Sequence, residues 1–152
     1  MKHRSDRGFT LIELLMVIAI IGIILAVVIA SLSSARAKGV DASIKSSLVN
    51  IRSQAELYFT NNGSYGTWNS GNPAICYSIA GAGILADTVI SKGLNAAMTS
   101  GGNSSWCVVN DSSYAIAVGM KTGGMSWCID SNKASRATST TPSAAIVNGV
   151  CT

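Results

Sequence analysis

Residues 1–32 of this 152-residue chain read MKHRSDRGFTLIELLMVIAIIGIILAVVIASL. Residues 14–35 form a stretch of 22 residues without a charged side chain, which as a helix at about 1.5 Å per residue is long enough to cross a bilayer. Backbone polar groups in lipid must be satisfied within the segment, so an α-helix is predicted. The basic residues before it predict a cytoplasmic N-terminus. One carboxylate, Glu13, precedes the stretch directly, and a charge in hydrocarbon is costly unless it is paired.

The chain continues beyond this run as an amphipathic helix. Apolar side chains recur with helical spacing on one stripe, formed by Val40, Ile44, Leu48, Ile51, Ala55 and Tyr58. Charged residues lie off the stripe, and Asp41 precedes Lys45 by four residues, the order that favours an ion pair. Gly63 can adopt the left-handed conformation that ends a helix. The sequence therefore predicts one helix over residues 10–61.

The rest of the chain predicts a small head rich in β-structure. Residues 64–73 are predicted to be a loop, and residues 84–98 a short helix that Gly93 could interrupt. Turn sequences separate three strand-like runs, at residues 105–109, 114–118 and 125–129, which predict a three-strand antiparallel meander. The predicted fold class is α+β: a long N-terminal helix that packs, through its amphipathic half, on a small antiparallel sheet.

Four cysteines lie in the second half of the chain: Cys76, Cys107, Cys128 and Cys151. There is no CxxC pair, and the only histidine precedes the apolar run, so two disulfides are favoured and no metal is predicted. In a simple meander Cys107 and Cys128 would lie two strand spacings, about 9.6 Å, apart, beyond the reach of a disulfide. Cys76–Cys107 with Cys128–Cys151, or Cys76–Cys128 with Cys107–Cys151, remain. The first arrangement is favoured because Cys128–Cys151 closes the C-terminal segment as a short loop.

Charge and composition argue against two functional classes. From Phe9 onward there are eight basic and six acidic residues, a formal charge of +2, so nucleic-acid binding is conceivable but unsupported. No histidine follows His3, and the acids of the head stand singly in separate segments. No enzymatic activity and no cofactor are predicted.

Residues 7–13, RGFTLIE, follow a short basic leader and precede the long apolar helix. This arrangement resembles the class III signal of type IV pilins and pseudopilins. The resemblance implies that prepilin peptidase cuts after Gly8 and methylates the new amino terminus at Phe9. It also assigns Thr10 and Glu13 to assembly, with the Glu13 carboxylate meeting the charged terminus of a neighbouring subunit, which supplies the cation that the apolar run lacks.

The resemblance divides the chain into a cleaved leader (1–8), a transmembrane and polymerisation half-helix (9–35), an amphipathic half-helix (36–62) and a pilin-like head (63–152). It implies a structural subunit that polymerises through its N-terminal helix into a type IV pilus or related filament. The implied partners are copies of the chain, minor pilins, prepilin peptidase, the inner-membrane assembly platform and, before assembly, membrane lipid. The implied location is the bacterial inner membrane as a single-pass protein, then an extracellular or periplasmic filament.

Three other functions remain open at this stage. Within the family, the chain could be a pseudopilin of a type II secretion system or a DNA-uptake pilin. Outside it, the chain could be a monomeric, membrane-anchored, exported binding protein, which would not need Gly8 or Glu13.

Overall fold

The computed structural model describes residues 8–67, 75–76, 83–102 and 104–152, and for residue 30 it describes the backbone alone. Residues 1–7 of the predicted leader and residues 68–73 of the predicted loop therefore lie outside the described residues. The chain divides into two compact units, Met1–Arg36 and Ala37–Thr152. Helix α1 spans Leu11–Asn62, so the predicted helix over residues 10–61 is confirmed to within one residue at each end.

In the first unit, α1 presents apolar side chains on all sides. All described side chains from residue 8 to residue 36 are exposed, including Ile12, Ile23 and Ile29 at 66–75 %. The best 18-residue window has a mean hydropathy of 3.2, and its length and composition suffice to cross a membrane. A helix that is apolar all round has no solvent-facing side and requires a lipid or protein surrounding.

In the second unit, the predicted stripe of α1 lies in the main core. Ile44, Leu48, Ile51 and Ala55 are at most 2 % exposed, and Val40 and Tyr58 pack beside them. The helix ends where the sequence indicates. The Gly63 N–H donates to the Phe59 carbonyl at 2.7 Å, and Gly63 has a φ of 71°, the left-handed conformation of a helix C-terminus.

Helix α2 spans Thr88–Gly101, after a single 3₁₀ turn at Gly83–Ala86. The predicted start at residue 84 was wrong because Asp87 caps the helix: its carboxylate accepts hydrogen bonds from the Val89 and Ile90 N–H groups. Gly93 does not interrupt α2. A Cβ at Gly93 would lie 3.3 Å from Ile51 Cγ1, so this glycine lets α2 approach α1 closely.

The sheet has four antiparallel strands in the order β1-β2-β3-β4. They are β1 (Ser105–Val109), β2 (Tyr114–Gly119), β3 (Ser126–Asp130) and β4 (Ser135–Thr138). The predicted meander is confirmed, but a fourth strand was missed. β4 reads SRAT and lies at the sheet edge, with two of its four residues exposed. It has no apolar alternation and forms through its pairing with β3.

Both faces of the sheet are covered. Ile116 and Val118 of β2 join the core that contains the α1 stripe. Ala115 and Ala117 point the other way, against Ile146 and Cys151. This second layer includes a two-stranded ribbon, β5 (Ile146–Val147) with β6 (Val150–Cys151). The predicted packing of α1 on the sheet accounts for only one of its faces. The C-terminal segment folds back over the other face.

Candidate processing and assembly site

The Gly8–Phe9 peptide bond lies in a short segment that precedes the helix. Residues 8–10 are not helical and are exposed, with Phe9 at 83 %. Apart from its chain neighbours, no atom of the described residues lies within 4 Å of the position that a Cβ would occupy at Gly8. The described part of the chain therefore does not require glycine here, and the residues on both sides of this bond are exposed.

Thr10 and Glu13 contact each other at the start of α1. The Thr10 N–H and the Thr10 hydroxyl both donate to Glu13 Oε2, each at 2.8 Å. In return, the Glu13 N–H donates to Thr10 Oγ1 at 3.4 Å. This is a capping box, in which two side chains satisfy backbone N–H groups that the first helical turn leaves without carbonyl partners.

The capping box is a role for Glu13 that the sequence analysis did not recognise. Its signature, a threonine followed three residues later by a glutamate, is present in the sequence as Thr10-x-x-Glu13. The same carboxylate also lies in the first turn of α1, where it interacts favourably with the positive end of the helix dipole. The residues assigned to assembly are thus joined to each other in a fixed local geometry.

The cysteines all lie in the second unit. The structure contains disulfides Cys76–Cys107, with a Cα–Cα distance of 5.1 Å, and Cys128–Cys151, with 5.8 Å. These are the pairs that the sequence favours, and the pairing stays a prediction for peptide mapping. Cys107 belongs to the core beside α1, and Cys128 to the layer under the C-terminal ribbon. One bridge therefore lies in each layer of the head.

Asp41 has a different role from the predicted one. The expected ion pair with Lys45 was wrong: the Lys45 ammonium lies 4.8 Å from the centroid of the Trp127 ring. Asp41 is only 5 % exposed and accepts the Lys121 N–H at 2.6 Å and the Thr122 N–H at 3.2 Å, as well as the Thr122 hydroxyl. Its carboxylate therefore ties α1 to the β2–β3 turn.

Comparison with known proteins concerns chiefly the N-terminal segment. Residues 3–29 match the model of the prokaryotic N-terminal methylation motif, a range that contains Gly8, Phe9 and the capping box. The N-terminal segment is thus similar to the segment that this motif describes. The predicted resemblance is thereby confirmed.

Pilin-family relatives extend the similarity beyond the motif. The chain is 33 % identical over 75 residues to type II secretion system core protein G of Klebsiella michiganensis, covering 49 % of this chain and 53 % of that protein. It is 45 % identical over 62 residues to the type IV wide pilus major component PilA4 of Thermus thermophilus, covering 41 % and 47 %. The chain thus matches about half the length of these curated relatives. No solved structure matches it.

Proposed function

We propose that the chain is a structural filament subunit that is cut between Gly8 and Phe9 and polymerises through the apolar half of α1. The observation that carries this proposal is the arrangement at the start of α1. An exposed, non-helical Gly8–Phe9 bond is followed within five residues by a capped helix. The described apolar side chains of this helix up to residue 36 are all exposed.

The apolar half of α1 supports both stages of such a life cycle. A helix with one apolar stripe can bury that stripe against one partner, but the first half of α1 is apolar and exposed on every side. Lipid surrounds such a helix in a membrane, and the same helices of other copies surround it in a filament core. We expect the chain to stand in the bacterial inner membrane with its N-terminus in the cytoplasm, and the head of residues 63–152 to lie at the filament surface.

Glu13 supplies the charge for assembly. Cleavage after Gly8 would create an ammonium group at Phe9, at the positive end of the helix dipole, where a cation is unfavourable. A carboxylate of a neighbouring copy would offset that cost, and pairing in a dry interface offsets the desolvation of both groups. Thr10 holds Glu13 Oε2, while Oε1 accepts no hydrogen bond from the described residues. The capping box thus presents a positioned carboxylate oxygen.

A secretion pseudopilus is the second candidate filament. It is favoured by the similarity to core protein G of Klebsiella michiganensis and of Dickeya chrysanthemi, the latter 33 % identical over 73 residues. The relatives are named as a secretion-system component and a pilus component, and we propose no enzymatic role. Prepilin peptidase, an assembly platform and minor pilins are the proposed further partners.

The proposal is tested by separating the charge of Glu13 from its capping role. Glu13→Gln retains a side chain that caps well at this position but removes the charge. We expect membrane insertion and cleavage to persist, with filaments reduced at least tenfold in electron micrographs of cells. Thr10→Ser, which keeps the hydroxyl, is the matched control and should assemble normally.

The processing step has its own readout. Mass spectrometry of filament protein should show a chain that begins at N-methylated Phe9. Normal filaments from Glu13→Gln would refute the ion pair, and an intact Met1 in assembled protein would refute the cleavage. A monomeric anchored binding protein would show neither the cut nor the filament.

A further inference from the structure

An open groove of about 530 Å³ lies at the β3–β4 turn, beside the C-terminal ribbon. Its lining includes Lys133 and Arg136 as cations, the polar residue Asn132, and Ala134, Val150 and Cys151 as apolar residues. The volume falls within the range of about 300–1,000 Å³ that is usual for small-molecule sites. It exceeds what a bare ion needs.

The backbone around the groove is held in place from two sides. Arg52 of α1 donates from Nη1 to the Lys133 carbonyl at 3.0 Å, and Lys133 itself has a φ of 68°. Asp130 accepts the Ala134 N–H at 2.9 Å and the Cys151 N–H at 3.0 Å. The β3–β4 turn and the C-terminal ribbon are therefore joined through one carboxylate, so the groove exists before any ligand arrives.

The charges of the groove favour an anion. Asp130 is 1 % exposed, and each of its oxygens accepts a backbone N–H, so it does not face the groove as a free carboxylate. Arg136 donates from Nη2 to the Cys151 carbonyl, which holds the side chain beside the groove and leaves its other N–H groups available. Lys133 is exposed beside it. Two cations against one buried carboxylate leave a net positive charge.

We propose that this groove binds a small phosphomonoester, with the phosphate on Lys133 and Arg136 and the attached body against the apolar lining residues Ala134 and Val150. A guanidinium held by one N–H presents its remaining donors as a fork that matches two phosphate oxygens, and an ammonium adds a point charge. The Asn132 amide completes a polar rim. This site does not depend on filament assembly.

The test uses the full chain in nonionic detergent micelles. Inorganic phosphate is titrated at constant ionic strength, and backbone amide resonances of residues 132–136 and 151 are followed by NMR. We expect saturable shifts, with the dissociation constant raised at least fivefold by Lys133→Gln and by Arg136→Gln. Lys92→Gln, which removes an equal charge from the exposed face of α2, is the matched control and should leave binding unchanged.

Two further arms identify the source of the phosphate and guard against misfolding. Glucose 1-phosphate that binds more tightly than inorganic phosphate would support a phosphomonoester such as a phosphorylated saccharide, and glucose alone should not bind. Equal binding of the two would show that the attached body makes no contact and would overturn the assignment to a phosphomonoester. Because Arg136→Gln also removes a bond to the Cys151 carbonyl, Lys133→Gln decides the outcome if the Arg136 variant unfolds. Shifts that fail to saturate, or that weaken equally in Lys92→Gln, would overturn the proposal.

Discussion

The hydroxyl of Tyr114 is buried and finds no hydrogen-bond partner in the described part of the chain. Tyr114 begins β2 and is 0 % exposed, with its ring edge-on to Tyr65 at 4.9 Å between centroids. Burial, followed by the charge of Glu56, raises the pKa of Tyr114 well above its usual range. An unsatisfied buried hydroxyl costs about 1–3 kcal/mol of stability. We therefore expect Tyr114→Phe to stabilise the head by about 1 kcal/mol, after allowance for the small void that the lost oxygen leaves.

Tyr65→Phe is the matched control, since it removes the same atom from the neighbouring ring. The Tyr65 hydroxyl donates to the two Glu56 oxygens at 3.1 and 3.0 Å, and burial, then Glu56, raises its pKa to about 12. Hydrogen bonds to charged groups contribute about 1.5–3 kcal/mol, but Glu56 is exposed to solvent and the value must be discounted. We expect a loss of about 1 kcal/mol, opposite in sign to the effect at Tyr114.

The assay is urea unfolding of the full chain in nonionic detergent, with disulfides intact and tryptophan fluorescence as the signal. A difference of about 2 kcal/mol between the two variants is well outside the error of a midpoint comparison at equal m-value. If Tyr114→Phe destabilises the head as much as Tyr65→Phe does, the Tyr114 hydroxyl has a partner in solution. Burial would then not leave this hydroxyl unsatisfied.

Two other predictions concern the head and the helix. Gly101→Ala should destabilise the head by about 2–3 kcal/mol, since the new Cβ would lie 2.1 Å from the Gly119 carbonyl oxygen. Gly39→Ala should instead stabilise α1 by up to about 1 kcal/mol, since beyond the helix's own backbone no atom of the described residues lies within 4 Å of the new Cβ. Urea midpoints decide, and equal effects would contradict the packing. Asp87 has its pKa lowered, first by the Ile90 N–H and also by the Val89 N–H and Gln54. A carboxyl whose pKa is lowered in the folded state stabilises the fold at a pH above its unfolded-state pKa of about 3.9. This stabilisation is lost as the pH falls through the folded-state pKa. The free energy of unfolding of wild type should exceed that of Asp87→Asn by a constant amount above about pH 5, and this difference should shrink below about pH 4. A difference that stays constant down to pH 2 would refute the cap by a charged Asp87.

Local patterns made much of the fold predictable. The 3.6-residue spacing of Ile44, Leu48 and Ile51 identifies the buried face of α1, because a helix must bury its apolar stripe wherever the partner comes from. Strands β1, β2 and β3 carry β-branched and aromatic residues between turn sequences. The motif at residues 7–13 is likewise contained in one short window.

The features that were missed depend on contacts distant in sequence. The helical periodicity places Asp41 off the apolar stripe of α1, which predicts an exposed side chain. It is buried because the N–H groups of Lys121 and Thr122, 80 and 81 residues away, donate to its carboxylate. β4 is an edge strand with two exposed residues, so its sequence SRAT shows no alternation of apolar and polar residues from which a strand could be predicted. The groove at Lys133 and Arg136 requires the C-terminal ribbon to return beside β3. No spacing rule contains that information.

The capping box sharpens the question of why residue 13 is charged. A glutamine caps at this position nearly as well as a glutamate, and the dipole interaction adds only about 0.3–1 kcal/mol for the charge. An ionised carboxylate near hydrocarbon costs several-fold more than that unless it is paired. Capping alone therefore does not account for the charge of Glu13. A cation at Phe9, which the proposed cleavage would create, would account for it, since pairing in the proposed filament would offset the cost of the carboxylate and favour association with neighbouring copies.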